Sequence, residues 1–186
     1  MQLFISLVMA IAITTSTFAE EKKATKTTRA VAVLVSSEVK EAPEQKFLGQ
    51  VFFEKKDGKI HVTGKIQGLK PNGVHGFHIH EFGDFTKPDG TSAGGHFNPE
   101  DHPHAGPEAA HRHAGDLGNV KADANGVVTL DLMVEGIALK KGDNAIVGRA
   151  LVLHAGQDDL QSQPSGDAGS RIGVGVIGWA NPESKI

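Results

Sequence analysis

VHGFHIHE, residues 74–81, reads as one β-strand with two different faces. Side chains alternate along a strand, so Phe77 and Ile79 point one way while Gly76, His78 and His80 point the other. Phe77 and Ile79 are core material. The opposite face carries two imidazoles beside a glycine that leaves them room, a rigid support for a metal that favours nitrogen donors such as copper. His154, at the end of the apolar run ALVLH, can add a third imidazole from across the sheet.

Similar segments surround this strand. Residues 30–36, 47–54, 59–67, 120–123, 126–134, 144–154 and 172–179 are short, β-rich and separated by turn signals. Asp57-Gly58 and Ala124-Asn125-Gly126 each predict a hairpin, because glycine accepts the positive φ that tight turns require. No stretch carries a 3.6-residue apolar period, so helix content is low. The pattern is all-β, a sandwich or barrel of eight strands. Two connections break its rhythm, 82–119 and 155–170, and both lie beside the histidines, which marks them as functional loops.

The longer loop carries His96, His104, His113 and Asp116. Three imidazoles and one carboxylate make a closed tetrahedral zinc site of the structural type, since no position is left for water. His96 lies between the two groups in sequence, and its two ring nitrogens can serve a metal on each side.

The chain has 186 residues, a net charge of −3 and no cysteine. No run of basic residues is present, which argues against a general nucleic-acid binder. Leu3 to Ile13 is an apolar run too short to span a bilayer comfortably, and Thr17-Phe18-Ala19 fits a small-x-small cleavage site before Glu20. Residues 1–19 therefore read as a signal peptide, though without Lys or Arg ahead of the apolar run. Residues 20–29, EEKKATKTTR, read as a flexible N-terminal segment, and 30–186 as a single domain. The expected location is exported, periplasmic or extracellular, with no membrane attachment once the signal is removed. Disulfides would be open to an exported chain, yet metal sites here must be built from nitrogen and oxygen alone.

GFHIHEFGD, GGHFNP, HAGP, RHAGDLGN, VGRALVLHAG and GSRIGVGVIG, in that order, resemble the signature segments of the copper/zinc superoxide dismutase family. The resemblance covers about residues 30–180 and implies a flattened eight-stranded Greek-key barrel with two long functional loops. It implies copper held by His78, His80, His96 and His154, and zinc held by His96, His104, His113 and Asp116. His96 would be a bridging imidazolate that takes up and donates a proton. Arg171 matches an arginine over the copper channel, where a guanidinium can bind and orient the superoxide anion. Asp158 matches a carboxylate that hydrogen-bonds one copper histidine and one zinc histidine. The implied activity converts superoxide to O₂ and H₂O₂ by Cu(II)/Cu(I) cycling, with structural zinc.

The resemblance also implies a homodimer through residues 82–84 and 175–178, with Trp179 where a smaller apolar residue is common. His75 is expected to be structural, Asn119 to pack the loop, and His102 and His111 to be exposed neighbours of the ligands. Gly90 and Val174 occupy the positions of the family's intrasubunit disulfide, and Phe85 is expected to pack inward in its place. Residues 155–170 carry Asp158, Asp159 and Asp167 and no Lys or Arg, so basic steering of superoxide from this loop is missing. Two other readings use parts of the same residue set. A non-catalytic copper-binding or copper-delivery protein on this fold would not need Arg171. A zinc-stabilised interaction module would not need His78, His80 and His154 together.

Overall fold

A computed structural model describes residues 28–37 and 45–183. The expected signal peptide (1–19) and residues 20–27 of the expected flexible segment lie outside the described residues. Among the described residues there are eight strands: β1 (Arg29–Ser36), β2 (Phe47–Lys56), β3 (Lys59–Ile66), β4 (Val74–His80), β5 (Asp116–Lys121), β6 (Val128–Val134), β7 (Ala150–His154) and β8 (Arg171–Trp179). Among the same residues, helix is limited to one 3₁₀ turn, Thr91–Ala93. Arg29, placed by the sequence in the flexible segment, is instead part of β1. It pairs with Glu54, and its carbonyl accepts the Ala180 N–H.

The strands form one antiparallel sheet in the order β5-β4-β7-β8-β1-β2-β3-β6, curled until β5 and β6 approach each other. Counted around that nearly closed barrel, the β3–β4 and β6–β7 connections each pass over two strands, which is the Greek-key pattern. Alternation fills the interior. Ala30, Ala32 and Leu34 of β1, Val51 and Phe53 of β2, Phe77 and Ile79 of β4, and Leu151 and Leu153 of β7 are all buried in one core. Phe77 and Ile79 thus take the core face, and the outward face of β4 is left to His78 and His80.

Three local expectations need correction. Asp57-Gly58 does make the β2–β3 hairpin, with φ of 49° and 83° at its two central residues. The turn at 124–126 also forms, but β5 and β6 are not a hydrogen-bonded hairpin: β5 pairs with β4 and β6 with β3. The β3–β4 connection takes up the turn's backbone groups, through Leu69 N–H to Gly126 O, Asn72 N–H to Asp123 O and Ala122 N–H to Gly73 O. The strand expected over 144–154 begins only at Ala150, because 145–149 turns back on residues 138–139. In the other direction, β5 starts four residues earlier than 120–123 would suggest, at Asp116.

Gly90 and Val174 are in contact: a Cβ on Gly90 would stand 2.8 Å from Val174 Cγ2. The long loop therefore meets β8 where a disulfide would join them, and apolar packing occupies the place. Ala93, Ala150, Val152 and Val174 form a small buried cluster, and Phe85 packs against it. Phe85→Ala is expected to lower stability by about 1–3 kcal/mol, less than the roughly 3–5 kcal/mol for a fully buried aromatic side chain, since Phe85 is half-buried. Urea denaturation measures this, and an unchanged midpoint would show that the loop is held by other contacts.

Candidate metal centre

Strand register assembles most of the site. His78 on β4 pairs with Asp116, the first residue of β5. His154, the last residue of β7, pairs with Arg171, the first of β8. An isolated bridge sets His96 opposite His80. A Cβ on Gly76 would lie 2.8 Å from Ala168 Cβ and 3.1 Å from His78 Cε1, so glycine is required there for the imidazoles to fit. His78, His80, His96, His104, His113, His154 and Asp116 are all buried. Their donor atoms form two sets, each within 4.8 Å: His78, His80, His96 and His154, and His96, His104, His113 and Asp116.

Hydrogen bonds set which nitrogen each ring offers. Asp158 is fully buried; its two oxygens accept from His78 Nε2 at 2.8 Å and from His104 Nε2 at 3.0 Å. A carboxylate only accepts, so both Nε2 atoms carry the proton and both Nδ1 atoms are bare lone pairs. His80 Nδ1 donates to Gly94 O at 2.9 Å and His154 Nδ1 to Gly169 O at 3.0 Å, which leaves their Nε2 atoms bare. Those two lone pairs face each other at 3.3 Å. No proton remains to share between them.

One contact of the second set has the same property. His104 Nδ1 lies 3.1 Å from Asp116 Oδ1 yet has no hydrogen-bond partner, because neither atom carries a proton. His96 Nδ1 and His113 Nδ1 stand 2.8 and 3.2 Å from the same oxygen and 3.4 Å from each other. Zinc bonds of about 2.0–2.1 Å place tetrahedral donors roughly 3.3 Å apart, so these separations fit one ion among the four. The buried His78 Nδ1 and His96 Nε2 also lack partners. Buried acceptors that face each other without protons are costly, and a cation between them removes the cost.

The electrostatics agree. Burial lowers the pKa of His96 and of His154 to about 4, and that of His80 well below the ordinary histidine value. The rings are therefore neutral at physiological pH, the form that binds metals. Burial pushes the Asp116 carboxyl up, but hydrogen bonds from His113 and His96 outweigh it and hold the group far below the usual range. Asp158 is likewise lowered, its burial offset by His78, the Leu160 N–H and His104.

Arg171 is anchored at the edge of the first set. Its guanidinium donates to Gly90 O and, at 2.5 Å, to Gly94 O, the carbonyl that also accepts from His80. Burial lowers its pKa, and Asp89 opposes the shift. His75 lies outside both sets, its Nδ1 donating to His154 O at 2.8 Å. His61 pairs with Asp131 at 2.6 Å, and His102 and His111 stay outside both sets.

Three further contacts support the centre. Asn119, expected only to pack the loop, clamps the Asp158 backbone through bonds of 2.8 Å to both its N–H and its carbonyl. Gln163 does the same for His104, at 2.9 and 2.8 Å. Gly166, with φ of 69°, admits the Asp158 carboxylate so closely that any Cβ would collide with Oδ1. The GN in DLGN was a usable signal for Asn119. A lone Gln or Gly in a polar loop carries none.

Comparison with known proteins agrees with this centre. A family model described as copper/zinc superoxide dismutase matches residues 47–177. The Cu-Zn superoxide dismutase of Yarrowia lipolytica is 46% identical over 143 residues, 73% of this chain and 92% of that protein. A Cu-Zn superoxide dismutase of Arabidopsis thaliana is 49% identical over 133 residues, 68% of this chain and 79% of that protein. Among solved structures, the crystal structure of the clock protein EA4 superposes with a TM-score of 0.71 at 42% identity, covering 84% of this chain and 97% of that one. The chain belongs to the copper/zinc superoxide dismutase family, with superoxide as its substrate and copper and zinc as its cofactors.

Proposed function

We propose that this superoxide dismutase holds copper with His78, His80, His96 and His154, and zinc with His96, His104, His113 and Asp116, His96 bridging the two. The observation that carries the reading is the convergence of buried, unprotonated ring nitrogens on common points, 3.3 Å apart in His80 and His154. Copper supplies one-electron exchange with superoxide, while zinc among four protein donors is structural. The side chains do the rest. Arg171, held by two carbonyls, keeps its remaining N–H groups in place to bind and orient a small anion with little reorganisation. His96, which offers a ring nitrogen to each set, would be the group that takes up a proton and hands it on. Asp158 fixes the ring orientation of His78 and His104.

Metal analysis of the purified protein together with a superoxide consumption assay tests the whole reading. His154→Ala is expected to lose copper and activity with the barrel intact, Asp116→Ala to lose zinc first, and Asp158→Ala to weaken both metals by about 10–100-fold. Arg171→Glu is expected to keep copper and lose about tenfold or more in rate, because it reverses the charge an anion meets. Activity in copper-free His154→Ala protein would overturn the assignment.

A homodimer is the second part of the proposal. Val33 on β1 and Val176 on the adjoining β8 are exposed, as are Phe82 and Trp179. Gly83 brings the Phe82 segment against Val176, with a Cβ-to-Cγ1 distance of 3.0 Å if a Cβ were added. Apolar groups in such a patch suit a self-complementary two-fold contact. Sedimentation equilibrium should give a dimer, with Val176→Asp shifted to monomer; a monomer at micromolar concentration would reject the interface.

The export reading rests on the apolar run before Thr17-Phe18-Ala19. Mass spectrometry of the protein recovered outside the producing cell is expected to give a chain beginning at Glu20. An intact Met1 would make residues 1–19 an anchor instead.

A further inference from the structure

His102 and His111 form a third group of imidazoles, at the outer surface of the long loop. His102 is half-buried and His111 exposed. Each stands two residues before a buried ligand candidate, His104 and His113. The His102 backbone is fixed by Asn98, which accepts its N–H at 3.0 Å and donates to its carbonyl at 2.8 Å. Nδ1 of His102 faces two acceptors, Arg112 O at 3.3 Å and Glu100 Oε2 at 3.6 Å. The ring proton therefore sits on Nδ1, and Nε2 is a free lone pair. An imidazole whose far nitrogen donates to a carbonyl or carboxylate is oriented as metal-binding histidines are.

The two rings are also spaced like ligands. Their centroids are 4.9 Å apart with planes at 72°. Within the buried sets the matching values are 5.1 Å and 68° for His80 with His96, and 5.4 Å for His96 with His113. Two imidazoles at this spacing suit zinc or copper(II), with water completing the coordination.

We propose that His102 and His111 form an exchangeable surface site for a divalent zinc or copper ion, from which the buried set on the same loop is filled. The filling role rests on reading His96, His104, His113 and Asp116 as metal ligands; the surface site itself does not. With fewer protein donors and open access to water, it releases its ion more readily than either buried set.

The test starts from the full-length protein with its buried sets loaded. Zinc, and in parallel copper(II), is titrated against a competing chromogenic indicator. One further, weakly held equivalent per chain is expected. It should disappear in His102→Gln and in His111→Phe, while the tightly held metals stay. His111→Phe keeps an aromatic ring against His102 and removes only the donor, so it separates ligation from ring packing. Absence of the weak equivalent in the unmutated protein, or its persistence in His111→Phe, overturns the site. Stopped-flow uptake of zinc by metal-free protein then tests the filling role: slower uptake is expected in both variants, and unchanged rates overturn that role. Loss of the tight equivalents in the unmutated protein would count against the buried ligands, a separate outcome.

Discussion

The Asp158 carboxylate is the junction on which the metal centre depends. It is fully buried, and a buried charge is tolerated only when its lone pairs are taken up. One oxygen accepts from His78 on β4; the other accepts from His104 on the long loop and from the Leu160 N–H of its own loop. Three pieces of chain far apart in sequence are thereby tied to one side chain. The same bonds put the protons of His78 and His104 on Nε2 and turn their Nδ1 lone pairs inward. Asn119 on β5 holds the Asp158 backbone, and Gly166 leaves space for the carboxylate.

Stability is divided between two kinds of interaction. The barrel rests on apolar side chains alternating along its strands, and its core takes in Phe97 and Ala114 of the long loop as well. The loops bring little apolar material of their own, and their polar groups converge with lone pairs facing lone pairs. That arrangement is unfavourable by itself and becomes favourable around cations, so metal affinity is also loop-folding energy. With no cysteine in the chain, the contact of the long loop with β8 relies on Phe85 packing near Val174 and on the Arg171 hydrogen bonds to Gly90 and Gly94. Arg171 therefore serves two ends: the bonds that fasten the loop also hold its guanidinium rigid beside His80.

Legibility followed the range of the interactions. The alternation in residues 74–81 told core face from ligand face because strand periodicity is a property of the local backbone. The turn at 124–126 was readable for the same reason. The partners of the strands on either side were not, since the β3–β4 connection decides where those backbone groups bond. Residues 145–149 looked like strand by composition, and hydrogen bonds to residues 138–139 made them a turn. Asp158 could be named only through family resemblance, and Gln163 not at all, because each acts on a residue more than fifty positions away.

By itself the sequence determined the all-β class, the two faces of β4 and the donor inventory: nitrogen and oxygen, without sulfur. These depend on residue type and on a two-residue period, which act within a few positions along the chain. The tertiary structure decided which histidine stands beside which, which ring nitrogen is bare, and that His96 belongs to both sets. Those outcomes arise from strand register, which sets Asp116 against His78 and His154 against Arg171, and from carbonyls and a carboxylate delivered by remote loops. A proton's place on an imidazole is fixed by whichever acceptor lies behind it, and only the folded chain puts that acceptor there.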